Sequence, residues 1–314
     1  MTLYLIDGHA LAYRAYFAFI RNPLVSSTGE ETSAVFGFAN TILSILKRHD
    51  PSHIAVVFDS SQPTFRHELF PPYKANREKM PDSLIHQMKR IHLLLEAMSI
   101  PVFCAPGYEA DDVLATIASR IESQMPVRIV SGDKDLLQVV SERTHVMRPG
   151  KGSSIDEEID ANGLREKMGL AADEMVDYLA LMGDSSDNVP GVAGVGQKTA
   201  LKLINQFGSI ERVYENLDKI PSQALQKKLL ADKAKAFLAR DLVRLDKKVP
   251  IDFSVHDMKR GGFQVPGLYD LLGELELNRL LEAARQLEDG RRLPDAGPKP
   301  AAELAAEPAV KPAA

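Results

Sequence analysis

Cysteine is almost absent from this chain: Cys104 stands alone among 314 residues. No internal disulfide can form, and thiolate-rich zinc sites are disfavoured against oxygen-ligated hard cations. Cys104 ends the apolar run Pro-Val-Phe-Cys, so it is expected to be a small buried hydrophobe, and its isolation suits a cytoplasmic protein. Long apolar runs are missing too, since none reaches the ~18 residues that a membrane span needs. The opening Met1-Thr-Leu-Tyr-Leu-Ile-Asp7 has no positive n-region, and Asp7 and Arg14 interrupt its apolar stretch. Neither a signal peptide nor an anchor is expected. A positive surplus is also lacking, with a net charge of −5. The distribution qualifies that absence: residues 190–250 hold twelve Lys/Arg against six Asp/Glu, a local net of +6. Local basic surface, more than global charge, sets contacts to phosphate.

With 45% hydrophobic and 26% charged residues, the composition is that of a globular chain with one large or two modest domains. Short β-type runs near 2–7, 53–58, 101–104, 127–131 and 144–147 alternate with helical patterns near 33–49, 82–98 and 109–123. That alternation predicts βαβ units and a mainly parallel, twisted α/β sheet with helices on both faces. From about 160 onward the pattern is helical, at 173–182, 197–206, 222–231, 232–244 and 276–286. The expected organisation is an α/β core over 1–170, with an arch-like crossover at about 60–98. A helical subdomain over 171–288 follows, with a hairpin at 188–206. Residues 289–314 carry five prolines among alanines and read as a disordered tail or linker.

Nine acids stand where a hydrophobic run ends or a Gly/Ser-marked loop begins: Asp7, Asp59, Glu109, Asp111, Asp112, Asp133, Asp135, Asp184 and Asp187. In open α/β sheets the carboxyl ends of the strands open on one crevice, where such residues can meet. Carboxylates gathered there repel one another unless hard divalent cations neutralise them. Singly, each cluster has a plainer reading. Glu109, Asp111 and Asp112 can complement a helix dipole, although 109 and 112 share one helical face with 111 adjacent, which suits a metal-binding edge. Asp133 and Asp135 can form a polar turn, and Asp184 and Asp187 can flank a helix end. Their joint placement at strand and helix ends is harder to assign to capping.

Two further segments bear on phosphate. Residues 64–82 interleave Arg66, Lys74, Arg77 and Lys79 with Phe65, Phe70 and Tyr73. Cations there can hold phosphates while aromatic faces take bases, or the segment is an irregular crossover with a solvated face. Gly191-Val-Ala-Gly194-Val-Gly196-Gln-Lys198-Thr199-Ala200 lets backbone approach closely, and the following helix offers free N–H groups to an anion. It lacks Walker spacing. A tight structural helix–turn–helix is the alternative.

Together these motifs resemble the 5′-nuclease family: the 5′–3′ exonuclease domain of bacterial DNA polymerase I, phage 5′-exonucleases and flap endonucleases. The matching pieces are Asp7-Gly-His-Ala-Leu-Ala-Tyr-Arg-Ala-Tyr, Val-Val-Phe-Asp59, Thr-Phe-Arg66, Tyr73-Lys74-Ala-Asn-Arg77, Gly107-Tyr-Glu-Ala-Asp-Asp112, Ser-Gly-Asp-Lys-Asp135, Leu-Met-Gly-Asp-Ser-Ser-Asp-Asn188 and Gly191 to Ala200. They keep the family's order over about residues 3–290.

The resemblance implies a PIN-like or resolvase-like core followed by a helix–three-turn–helix DNA-binding subdomain. Asp7, Asp59, Glu109, Asp111 and Asp112 would hold a first Mg²⁺, and Asp133, Asp135, Asp184 and Asp187 a second-metal region. Mn²⁺ could substitute. Arg66, Lys74 and Arg77 would handle the scissile phosphate and 5′ end, with Arg14 near that phosphate. Tyr73, Gly191, Gly194, Gly196, Lys198 and Thr199 would bind DNA, the hairpin with help from K⁺. Substrates would be DNA 5′ ends, nicks and flaps, RNA-primed ends included, for a monomer of the bacterial cytoplasm and nucleoid. A polymerase domain could lie in the same or another chain. Two Mg²⁺ about 4 Å apart would activate water and stabilise the leaving 3′-oxygen. A Mg²⁺-dependent small-molecule phosphatase fits less well, because Asp7-Gly-His lacks the second aspartate of an Asp-x-Asp pair. A non-catalytic DNA-binding module should have lost metal acids.

Overall fold

The structure, a computed structural model, describes residues 1–150, 155–263 and 265–288. The Pro/Ala tail at 289–314 lies outside them. The first strand explains the architecture. All five residues of β1 (Leu3–Asp7) are buried, and their alternation sends Leu3 and Leu5 to one apolar cluster and Tyr4 and Ile6 to another. The same period of two divides β2 (His53–Val57): Ala55 and Val57 join the first cluster, Ile54 and Val56 the second. A strand with no polar face needs a layer on each side, which is the condition of a parallel sheet covered on both faces.

The elements between and after these strands are α1 (Gly8–Ala18), α2 (Ser33–His49), α3 (Phe65–Leu69), α4 (Asp82–Ala97), β3 (Val102–Phe103), α5 (Ala110–Ile121) and β4 (Val127–Val130). Then come β5 (Thr144–Pro149), β6 (Ile155–Ile159), α6 (Ala161–Met168), α7 (Glu174–Met182), α8 (Gln197–Phe207), α9 (Ile210–Glu215), α10 (Gln223–Ala231) and α11 (Lys233–Val243). The last two are α12 (Val265–Glu274) and α13 (Asn278–Glu288). The sheet order is β3-β2-β1-β4-β5-β6. Every pairing is parallel except β5 with β6. From β1 the chain first builds outward through β2 and β3, then returns to β4 on the other side. The switch point therefore lies between β1 and β4, where an open sheet leaves a crevice at its carboxyl edge.

Several expectations need correction. The crossover at 60–98 is not one free-standing arch, because Leu84, Ile91, Leu94 and Leu95 of α4 are core residues packed with α2. Of this crossover, Arg66 on α3 and residues from Tyr73 to Met80 line the crevice. The helical part does not run unbroken from 171 to 288: Leu268, Leu272, Leu280 and Ala284 return to the cluster beneath α2 and α4. Cys104 is exposed, because β3 is a two-residue edge strand with too little cover to bury the next side chain.

Candidate active site

Five acids gather at the switch point, and among the described residues no lysine or arginine forms an ion pair with any of them. Asp7 ends β1, 5% exposed, and accepts from the Ala10 N–H at 3.0 Å and from Ser131 Oγ at 2.8 Å. It therefore caps α1 and also faces the crevice. Asp59 follows β2 and accepts from the Ala110 N–H at 2.7 Å. Asp111 projects from the first turn of α5, and Asp133 and Asp135 follow β4. All five line one cavity of about 620 Å³. Among the described residues none of them pairs with Lys or Arg, and Asp135 Oδ1 is buried without a hydrogen bond. His9 does not neutralise Asp59. The Asp59 N–H donates to His9 Nδ1 at 3.0 Å, which needs that nitrogen bare, and burial lowers the imidazole's pKa against the pull of Asp59.

Proton affinity records the crowding. Burial pushes the Asp7 carboxyl up to about 7, with Asp59 and Asp133 adding to the rise against its two hydrogen bonds. Burial, then Asp133, pushes Asp135 up to about 8. Asp111 is raised well above the carboxylate range, first by burial and then by Asp133, Asp7, Asp135 and Asp59.

The other four acids are already compensated. Asp112 does not reach the cavity. It is fully buried, held by Arg66 through two hydrogen bonds of 2.6 and 2.8 Å, and accepts from the Glu109 and Asp246 N–H groups. The expectation that 109 and 112 share a metal-facing edge thus fails, and 111 is the residue that faces the crevice. Glu109 lines the cavity but accepts from Lys74 Nζ at 2.5 Å and from the Tyr73 hydroxyl at 3.0 Å. Arg77 pairs with Asp187. Lys134 sits 3.1 Å from Asp184. Burial pushes Asp184 up, but Ser186 and Lys134 outweigh it and hold its pKa below the ordinary value.

Three predicted ligands of nucleic acid are placed otherwise. Arg66 is 2% exposed, and its Nε and Nη2 also donate to the carbonyls of Leu242 and Arg244. It ties α3, α5 and the end of α11 together rather than meeting solvent. Tyr73 is 4% exposed, so its ring offers no stacking face. Arg14 sits half-buried on α1 outside the cavity lining. Arg66 and Tyr73 border the cavity with little exposed surface, and Lys74 and Arg77 line it as well. The Lys74 backbone is left-handed, φ +56°, a strained state for a side-chain-bearing residue. Its N–H donates to the Asp187 carbonyl at 2.9 Å. Asn76 Nδ2 to Ser185 O and Asn188 Nδ2 to Pro72 O, both 2.7 Å, stitch the same two loops together.

The glycine segment packs on the end of α7. A Cβ on Gly191 would stand 2.5 Å from the backbone of Gly183 and Met182, so only glycine permits this approach. Asp232, from the start of α11, accepts from the Ala193 N–H at 2.9 Å and anchors the loop. Gly196 caps α8, whose first turn presents Lys198 to solvent. Neither Asp232 nor Lys134 and Ser131 stood out in the sequence as site residues. Ser131 carried one signal, a small hydroxyl between a strand and Gly132.

A hard divalent cation fits this donor set. Among the described residues no three His, Cys, Asp or Glu side chains already form a cage, yet Mg²⁺ keeps several waters and takes only one or two carboxylates directly. The raised carboxyls also set a pH dependence. Between about pH 4 and about pH 8 the folded chain binds more protons at Asp7 and Asp135 than the unfolded chain, so their contribution to stability falls as pH rises through that window. Thermal melting in EDTA should show a lower Tm at pH 8 than at pH 6, with Mg²⁺ restoring most of the difference. A Mg²⁺-insensitive Tm at pH 8 would argue against cation binding there.

Residues 2–169 match the family model of the 5′-3′ exonuclease N-terminal resolvase-like domain, and residues 170–265 that of the 5′-3′ exonuclease C-terminal SAM fold. DNA polymerase I of Bacillus subtilis is 40% identical over 282 residues, covering 89% of this chain and 32% of the relative. DNA polymerase I of Pseudomonas aeruginosa is 41% identical over 288 residues, covering 89% and 31%. The chain thus spans about a third of the length of these relatives. The T5 D15 protein co-crystallised with metal ions superimposes with a TM-score of 0.65 at 22% identity, over 90% of this chain and 100% of that one. The catalytic core of Rad2 in complex with DNA substrate gives 0.63 at 18%, over 91% and 90%. At such identities these two likenesses speak for the fold alone.

Proposed function

The chain belongs to the 5′–3′ exonuclease family and is a nuclease hydrolysing phosphodiester bonds, and on that premise we propose a Mg²⁺-dependent 5′–3′ exonuclease and 5′-flap endonuclease. It acts on DNA at 5′ ends, nicks and flaps, RNA-primed ends included, in the primer removal of Okazaki fragment processing and in repair. It works in the bacterial cytoplasm as a monomer, beside a polymerase domain of the same or another chain. The carrying observation is the set of five uncompensated carboxylates at the switch point, with Lys74 and Arg77 on the same cavity wall.

Asp7, Asp59, Asp111, Asp133 and Asp135 would hold the cations, with Glu109, Asp184 and Asp187 beside them. Bound Mg²⁺ would supply positive charge to the attacking water and the leaving 3′-oxygen. Asp112 acts through Arg66, setting the start of α5 and hence Asp111. Once the acids are compensated, Lys74 and Arg77 can leave Glu109 and Asp187 for the non-bridging phosphate oxygens. Lys74→Ala should then lower the single-turnover rate about 10²-fold, on the order of 3 kcal/mol, with little effect on affinity. Lys74→Arg should not fully restore it, since a planar guanidinium cannot take an ammonium's place. Normal cleavage by Lys74→Ala would leave residues 70–77 a structural crossover.

The duplex is held by residues 191–200, where Lys198 and Thr199 open α8, with help from a K⁺ ion as the family resemblance implies. Lys198→Ala should weaken duplex binding about equally across sequences and make the salt slope shallower by about one unit. Sequence-selective loss at an unchanged slope would mean base reading instead. The function itself is tested by comparing a labelled 5′-flap duplex with a generic phosphomonoester, each with Mg²⁺ and with excess EDTA. Mg²⁺-dependent cleavage of the flap alone is expected. Cleavage in EDTA, or a preference for the monoester, would overturn it.

A further inference from the structure

A second groove, of about 460 Å³, opens off the acidic cavity and shares His9, Asp59 and Met80 with it. Its chemistry is different. Phe58, Ile85, His92 and Val102 line it, and among the described residues no lysine or arginine does, whereas Arg66, Lys74 and Arg77 line the acidic cavity. His92 lies on Phe58 with ring centroids 4.6 Å apart, and His9 meets the same ring edge-on at 5.2 Å. Ile85 and Val102 remain 41% and 38% exposed. Ser60 Oγ, on the same wall, is shut off from solvent and makes no hydrogen bond.

This lining suits neutral, flat, largely apolar groups with a polar edge, and it offers phosphate nothing. Nucleobases have that chemistry, and aromatic and apolar walls hold them without regard to sequence. Position decides which bases. The acidic cavity takes one wall from the helical region, at Asp184, Asp187, Leu242 and Leu245. Among the described residues, all those lining the groove fall between 9 and 106. A duplex held by residues 191–200 therefore lies across the cavity from the groove.

We propose that this groove receives nucleobases of the unpaired 5′ arm, beyond the scissile phosphate from the duplex, an assignment that rests on the function proposed above. Phosphates of the arm stay in solvent while one or two bases turn into the groove.

Cys104 provides the test, because it is the chain's one cysteine, exposed, and on the groove wall. Its alkylation by N-ethylmaleimide is followed by mass spectrometry without divalent cations, so that the DNA stays intact. Each DNA is added at ten times the Kd found by fluorescence anisotropy. A duplex with a single-stranded 5′ arm should slow alkylation about tenfold, the ratio of total to free protein at that concentration. The same duplex with a nick and no arm should leave the rate unchanged. Equal protection by both duplexes, or none by the armed one, would overturn the assignment. Failure of either duplex to bind saturably would instead overturn the proposed function. Ile85→Glu, at an exposed position, should weaken the armed duplex several-fold relative to the nicked one. An unchanged ratio would count against the groove.

Discussion

Asp111→Asn should stop cleavage while leaving affinity for flap DNA within a few fold. Asp111 is the one acid of the 109–112 cluster that faces the crevice without a cationic partner, and burial together with four aspartates raises its pKa. A cation held there is worth several kcal/mol of charge stabilisation, so single-turnover cleavage should fall by about a thousandfold. Binding survives because residues 191–200 lie apart from the cavity. The same substitution removes a repelling charge, so in EDTA at pH 8 the variant should melt above the wild type. Near-normal turnover would remove Asp111 from the reaction. A lower metal-free Tm would show that its charge is compensated after all.

Arg66→Ala should act on stability first. The guanidinium is 2% exposed and joins the Asp112 carboxylate to the carbonyls of Leu242 and Arg244. Removing one partner of such a pair leaves a buried charge uncompensated, at a cost of about 3–5 kcal/mol. In a chain of this size that lowers Tm by on the order of 10 °C. Arg66→Met should cost as much, since it fills the space but still strands Asp112. The double variant Arg66→Met with Asp112→Leu should cost clearly less than the sum of its singles. Additive losses would show the pair to be uncoupled. A wild-type Tm with reduced cleavage would return Arg66 to the phosphate-handling role that its motif suggests.

The difference between Asp111 and Arg66 shows what the sequence could and could not tell. Acids at strand ends are legible because a strand's direction fixes where its last side chain goes, and β1, β2 and β4 follow alternation and β-branched composition. The mainly parallel sheet follows from the same signals, but the strand order does not, because strand–helix alternation leaves open which strands are neighbours. Burial of Arg66 and Tyr73 is not legible. It depends on carbonyls of Leu242 and Arg244 and on the side chain of Asp187, more than 100 positions away, and nothing local distinguishes a buried arginine from one awaiting phosphate. β6 escaped because Ile155-Asp-Glu-Glu-Ile159 reads as a charged loop, and an antiparallel edge strand needs little apolar content. α1 was hidden by Gly8 at its start, directly after a strand. The return of α12 and α13 to the α/β core is a tertiary choice: their leucines are amphipathic in either setting, and only the open face beneath α2 and α4 decides where they pack.

Calorimetric titration of Mn²⁺ into the chain at pH 7 asks whether the five carboxylates at the switch point form a cation site. Asp7 and Asp135, raised to about 7 and about 8, still carry protons at that pH and must release them when a cation binds. Repeating the titration in buffers of different ionisation enthalpy measures that release. Saturable binding with net proton release is expected, both strongly reduced in Asp111→Asn. Absence of saturable binding, or binding without proton release that survives Asp111→Asn, would contradict it.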